Sequence, residues 1–219
     1  MNSMLSDRVL QMEESATLAM AKKARELKAQ GVDIIGLSLG EPDFKTPKHI
    51  QQAAKDAIDE GKYFAYPPVS GYQDLREAIA KKLREENNIQ EAKAAHIVVS
   101  VGAKHSIANT FMCILNEGDE VVIFSPYWVS YAEIIKLCGG VPVLIEGTLE
   151  NNFKASAAQL EAAITPRTKA VIYSSPCNPT GSVFSQQELE AIANVVKKHE
   201  HVLVIADEIY ELINFTGKN

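Results

Sequence analysis

Short apolar runs rich in β-branched residues alternate along this chain with longer segments whose apolar positions recur every three or four residues, and Gly, Pro, Asn, Asp or Ser marks most of the changes. Leu18, Ala21, Ala24 and Leu27 predict a helix over 17–30, closed by Gly31 as C-cap. A second helix is expected over 47–60, with Thr46 as N-cap and Pro47 in the first position. Leu75, Ala78, Ile79 and Leu83 share one face of a third, over 72–87. Further helices are expected from about 103 to 115, in a segment running through 135, and over 156–164. Strands are expected at 33–39, 97–101, 121–124, 141–145, 171–174 and 202–206. Residues 63–71 (YFAYPPVSG) form a long irregular loop, a kind that often carries function. Residues 1–14 are polar with scattered apolar positions and suit an arm lying on another surface.

The pattern is densest over 171–210. The run VIYS stops at a loop of Pro, Asn, Thr and Gly, and Ser185-Gln186-Gln187-Glu188 then has the spacing of a capping box. Leu189, Ile192, Ala193 and Val196 follow at helical spacing, and the next apolar run ends at Asp207. Strand, loop, helix and strand make a βαβ unit with parallel strands. Repeated along the chain, this alternation predicts an α/β fold: a doubly wound, mostly parallel sheet with helices on both faces. Ligands of open α/β sheets gather beyond the carboxyl ends of the strands. Asn178 lies past one such end and Asp207 stands at another.

Composition narrows the class. With 219 residues, 46% hydrophobic and 23% charged, the chain has the make-up of one substantial domain, or one plus a fragment. A net charge of −6 disfavours nucleic acid as a partner. The apolar runs are strand-sized, well short of the ~20 residues of a membrane helix, and the N-terminus has no signal-peptide pattern. Cys113, Cys138 and Cys177 give neither a disulfide framework nor a zinc pattern, so a reducing cytoplasm is the expected location. His199-Glu200-His201 reads as a solvated helix end, and no metal site is expected. Cys177 lacks an evident base, and neither a P-loop lysine nor a GxGxxG is present.

Asn178-Pro179-Thr180-Gly181 followed by Asp207-Glu208-Ile209-Tyr210 resembles the signature of the class I aminotransferases, enzymes of pyridoxal-phosphate fold type I. Gly40-Glu41-Pro42-Asp43-Phe44 and Ser125-Pro126-Tyr127-Trp128 extend the resemblance, which covers all 219 residues; the latter motif points to the bacterial aspartate aminotransferase branch. The resemblance implies an N-terminal arm and small-domain segment over 1–45 and the first part of a pyridoxal-phosphate-binding large domain over 46–219. It implies transamination between an L-amino acid, aspartate, and a 2-oxo acid, 2-oxoglutarate, in a homodimer with shared active sites. A carbon–sulfur lyase on the same fold and a non-catalytic cofactor-binding or dimerising module are the alternatives.

The cofactor, pyridoxal 5′-phosphate, spreads negative charge from a substrate α-carbon into its ring, whose nitrogen must stay protonated. Asp207 matches the carboxylate beside that nitrogen; the bland alternative is an Asp capping a turn. Asn178 and Tyr210 match the pair that hydrogen-bonds the ring oxygen, although an Asx turn before Pro179 would also explain Asn178. Trp128, the sole tryptophan, matches the aromatic stacked on the ring; a lone Trp is otherwise a core or interface residue, and the Ser-Pro-Tyr-Trp context favours the ring. Gly102-Ala103-Lys104, between a strand and a helix, match the phosphate-binding turn. Some family members have Gly where Ala103 stands or Thr where Lys104 stands, so a backbone contact is retained here and a hydroxyl contact is not. Tyr66 matches the tyrosine that reaches the neighbouring subunit's phosphate, or packs on Pro67-Pro68. Gly40 matches the residue whose N–H meets the substrate carboxylate, or is a turn glycine; Trp128 and Asn178 also border the substrate in the family. The family's Schiff-base lysine stands in a motif that no lysine here matches and is expected beyond Asn219, so this chain alone is expected not to turn over. Some members of the branch accept prephenate and carry Lys where Glu13 stands. An acidic residue there would repel a dicarboxylate, and prephenate activity is not expected.

Overall fold

The computed structural model describes residues 4–13, 16–37, 40, 44–213 and 215. They group into two compact units, residues 16–101 and residues 1–15 with 102–219.

The second of these is built on a four-stranded parallel sheet. Its strands are β1 (Glu120–Ser125), β2 (Val141–Glu146), β3 (Thr168–Ser174) and β4 (Leu203–Asp207), in the spatial order β2-β1-β3-β4. Numbering the helices of the whole chain in order, this unit also holds α1 (Asp7–Leu10), α5 (Ala103–Ile114), α6 (Ser130–Leu137), α7 (Ala157–Ala163) and α8 (Gln186–Val196). The period-2 alternation of β1 and β3 divides the core in two. Val121, Ile123, Ala170 and Ile172 pack with Ile107 and Phe111 of α5 and with Ile134 and Ile135 of α6. Val122, Phe124 and Val171 face the other way, onto Leu160 of α7 and Ile192 and Val195 of α8. Helices therefore cover both faces, as the sequence pattern predicts, because strands apolar on both sides must bury both.

The βαβ unit forms as read. The Ser185 hydroxyl accepts from the Glu188 N–H at 3.3 Å, while the Glu188 carboxylate accepts from the Ser185 N–H at 2.7 Å and holds the Lys154 ammonium. α1 lies against α6, and the Glu13 N–H donates to Glu133 Oε2 at 3.0 Å, so residues 4–13 are tied to this unit.

In the unit of residues 16–101, α2 (Ala16–Ala29), α3 (Lys48–Asp59) and α4 (Gln73–Glu85) appear within a residue or two of their expected ends. Pro47, not Thr46, is the N-cap residue of α3, which begins at Lys48 without a side-chain cap. Two expected strands do not form. Residues 33–37 join no ladder, with Ile35 and Leu37 85% and 91% exposed; 38 and 39 lie outside the described residues. Residues 97–101 join no ladder among the described residues, although the Val99 N–H donates to the Ser70 carbonyl at 3.0 Å. A β-branched run becomes a strand only when a neighbour supplies the facing hydrogen bonds. Arg76 instead ties this segment to α4, donating from Nε to the Ile97 carbonyl at 3.0 Å.

At the amino end of β1, buried Glu120 accepts from the Thr165 hydroxyl and from Nε of Arg167 at 3.0 Å. The Thr165 hydroxyl first, then the guanidinium, hold the Glu120 carboxyl below the usual carboxylate range. A lowered folded-state pKa contributes stability that is present above the unfolded value and lost as pH falls through the folded one. Glu120→Gln should therefore cost about 1 kcal/mol at neutral pH. Denaturant titrations should show that difference shrinking as pH falls below the unfolded carboxylate's pKa of about 4.3 and through the lowered folded value.

Candidate active site

Parallel strands bring their carboxyl ends to one edge, and the spatial order reverses between β1 and β3, a crevice where open sheets bind ligands. Three strand ends meet there. β1 runs into Pro126-Tyr127-Trp128 and α6, β3 into the Cys177–Gly181 turn, and β4 ends on Asp207. The Ser125–Pro126, Ser175–Pro176 and Asn178–Pro179 bonds are cis.

The turn after β3 is closed by backbone bonds: the Cys177 N–H donates to the Ser182 carbonyl at 2.9 Å and the Gly181 N–H to the Cys177 carbonyl at 2.8 Å. Held this way, the Asn178 amide Nδ2 donates to the Tyr210 hydroxyl at 3.3 Å. The pair expected from sequence is brought together, across 32 residues of chain. The Cys177 thiol faces the Pro126 carbonyl at 3.4 Å and links the loops after β1 and β3.

Asp207 is half-buried, and both of its oxygens are held. Oδ1 accepts from the Ile209 N–H at 3.3 Å, the turn-capping bond that its position allowed. Oδ2 accepts from the Tyr131 hydroxyl at 2.5 Å. Burial first, then the hydrogen bond and charge of Asp207, push the Tyr131 phenol well above its ordinary pKa, so it remains a neutral donor. Tyr131 has no role legible from the sequence alone. Its only signal there is a place three residues after Trp128, which on a helix start brings the two side chains to the same side.

Trp128 is half-buried and packs against the core formed with α5 and α6, so part of its ring is structural. Its ring also meets Tyr131 edge-to-face, at 5.6 Å and 84°. The Lys104 ammonium lies 4.8 Å from the indole centroid, a cation–π contact.

Gly102 precedes α5 with φ +83°, a conformation that favours glycine, and a Cβ there would meet nothing within 4 Å. The first-turn N–H groups of α5 thus open a helix at an uncrowded turn, where anions are favoured. Between this turn and the end of β4 lies an open cleft of about 280 Å³, lined by Ala103, Ser106 and Thr110 on one side and by Ile205 and Asp207 on the other. Gly102, Ala103, Lys104, Trp128, Asn178, Asp207 and Tyr210 all fall in the one unit.

Tyr66 and Gly40 belong to the other unit. Tyr66 is fully exposed and does not pack on Pro67-Pro68. Its loop is shaped by Tyr72, whose hydroxyl donates to the Ala65 carbonyl at 3.4 Å and whose ring meets Tyr63 at 4.6 Å. Gly40 is exposed, and Glu41, Pro42 and Asp43 of its motif lie outside the described residues.

Known proteins are similar to this chain in sequence and in fold. The family described as aminotransferase class I and II matches residues 32–218. An aspartate aminotransferase of Bacillus sp. (strain YM-2) is 50% identical over 217 residues, 99% of this chain and 55% of that protein. An aspartate/prephenate aminotransferase of Thermus thermophilus is 46% identical over 215 residues, 98% of this chain and 55% of its own length. Among solved structures, the aspartate aminotransferase of Rhizobium meliloti aligns with a TM-score of 0.94 at 39% identity, covering 99% of this chain and 54% of that one. The Thermus thermophilus aspartate aminotransferase with maleate aligns at 0.93 and 44% identity, over 98% of this chain and 56% of that one. The chain spans about half the length of the relatives it matches. With the family match running over most of its residues, the chain belongs to the class I and II aminotransferases, a pyridoxal-phosphate-dependent family.

Proposed function

We propose that the protein carrying this chain transfers the α-amino group of aspartate to a 2-oxo acid such as 2-oxoglutarate, with pyridoxal 5′-phosphate as cofactor. The observation that supports this most is Asp207, a half-buried carboxylate on a cleft that opens at a helix N-terminus. A cationic ring nitrogen calls for the first and a phosphate for the second, and the residues present fit both ends of that group. When bound, the cofactor supplies an electron sink for the substrate α-carbon.

In this reading Asp207 keeps the ring nitrogen protonated, and Asn178 and Tyr210, already 3.3 Å apart, converge on the ring oxygen. Trp128 supports the ring face, and the backbone at Gly102, Ala103 and Lys104 meets the phosphate. The Gly40 N–H, with Trp128 and Asn178, meets the substrate. Tyr66, fully exposed here, reaches the phosphate of a neighbouring subunit in a cytoplasmic homodimer. The division of the chain is an arm and small-domain segment over 1–45 and the first part of the cofactor-binding large domain over 46–219.

Protein of full natural length, given aspartate and 2-oxoglutarate, should produce oxaloacetate, followed as NADH oxidation by coupled malate dehydrogenase. No oxaloacetate, or ammonia and thiol from a sulfur amino acid instead, would overturn the reading. Asp207→Asn, of nearly the same shape but without the charge, should lower kcat on the order of 10²-fold or more in the same assay. Prephenate should be a poor amino acceptor, and Glu13→Lys should raise its kcat/KM; efficient use of prephenate by the unaltered protein would remove Glu13 from the account.

A further inference from the structure

Tyr131 is the largest fully buried side chain among the described residues, 1% exposed. A phenol hidden from water needs a partner, and its hydroxyl has one in Asp207 Oδ2 at 2.5 Å. The same residue is fastened to Trp128 twice. Its N–H donates to the Trp128 carbonyl at 3.0 Å, and its ring takes the edge-to-face contact with the indole. Tyr127 stacks on it from the preceding turn, with ring centroids 6.4 Å apart. The bonds fixing Asp207, from Tyr131 and from the Ile209 N–H, are one to each oxygen and both from neutral donors. They fix the plane of the carboxylate and leave each oxygen a further lone pair.

We propose that Tyr131 is a positioning residue for the cofactor ring: it aims the Asp207 carboxylate at the ring nitrogen and locks that aim to Trp128, the ring's stacking platform. The inference rests on the cofactor reading above. A cation in the place of Tyr131 would also orient the carboxylate, but it would cancel the charge that holds the ring proton. A phenol orients without cancelling. Burial keeps the phenol from ionising, so the donor persists across the working pH range.

The test compares binding of pyridoxal 5′-phosphate with binding of its 1-deaza analogue, which has the same phosphate, ring oxygen and stacking face but no ring nitrogen. Full-length protein and Tyr131→Phe are titrated with each by fluorescence quenching. The unaltered protein should prefer pyridoxal 5′-phosphate, and Tyr131→Phe should lose about tenfold of that preference while binding the analogue as before. Equal weakening toward both ligands would mean a purely structural role and would overturn the proposal, as would unchanged binding of both. An unaltered protein that shows no preference would remove Asp207 from the ring nitrogen, overturning the cofactor reading itself and the inference with it. In an Asp207→Asn background, Tyr131→Phe should shift the preference no further. Should the Phe variant fail to fold, 3-fluorotyrosine at position 131, a stronger donor of nearly the same shape, has to alter the preference; an unaltered value sinks the idea.

Discussion

Parallel pairing of the four strands is the constraint on which the site depends. Ser174 pairs with Asp207, and Ser125 with Glu146. Ile123 pairs with Ile172, so two residues further on Ser125 and Ser174 stand level. Four strands therefore stop along one line. The loops that leave them bring Trp128, Asn178 and Asp207 to one edge although up to 79 residues of chain separate them. An antiparallel meander would have sent alternate ends to opposite edges and split the set. Burial of both faces holds the pairing in place, because Val121 and Ile123 point into one core and Val122 and Phe124 into the other, so a one-residue slip would exchange them.

The two ends of the sheet treat a carboxylate differently. At the amino end, Glu120 is matched by the Arg167 guanidinium and by a threonine hydroxyl, an arrangement that compensates its charge. At the carboxyl end, the bonds to Asp207 come from a phenol and a backbone amide. The first arrangement serves stability. The second orients a carboxylate with neutral donors beside an open cleft.

Residues 16–101 show what a local pattern can and cannot specify. Their helices form where apolar spacing puts them, since a helix satisfies its backbone from within the segment. The runs at 33–37 and 97–101 have the composition of strands and join no ladder among the described residues. Gly71 shows a tertiary demand in the same unit: it sits at φ +98°, and a Cβ there would come within 2.6 Å of Val99.

The sequence by itself determined helices α2 to α8, the four strands of the sheet, the capping box at Ser185 and Glu188, and the parallel two-faced architecture, because each follows from local periodicity and chain direction; the short α1 was not among the expected helices. It also carried the Asn178 to Tyr210 signature that points to the family. Tertiary structure alone decided which chemistry-bearing side chains meet. Tyr131 is, in the sequence, one more aromatic on a helix face; only the crossover from β1 to β4 places its hydroxyl against Asp207, 76 residues away. The same crossover gave each oxygen of Asp207 a donor, the Ile209 N–H at Oδ1, which is the turn-capping bond, and the Tyr131 hydroxyl at Oδ2. Periodicity fixes which face a residue occupies, but a hydrogen bond between distant side chains depends on register, crossing and depth, which no local window of sequence contains.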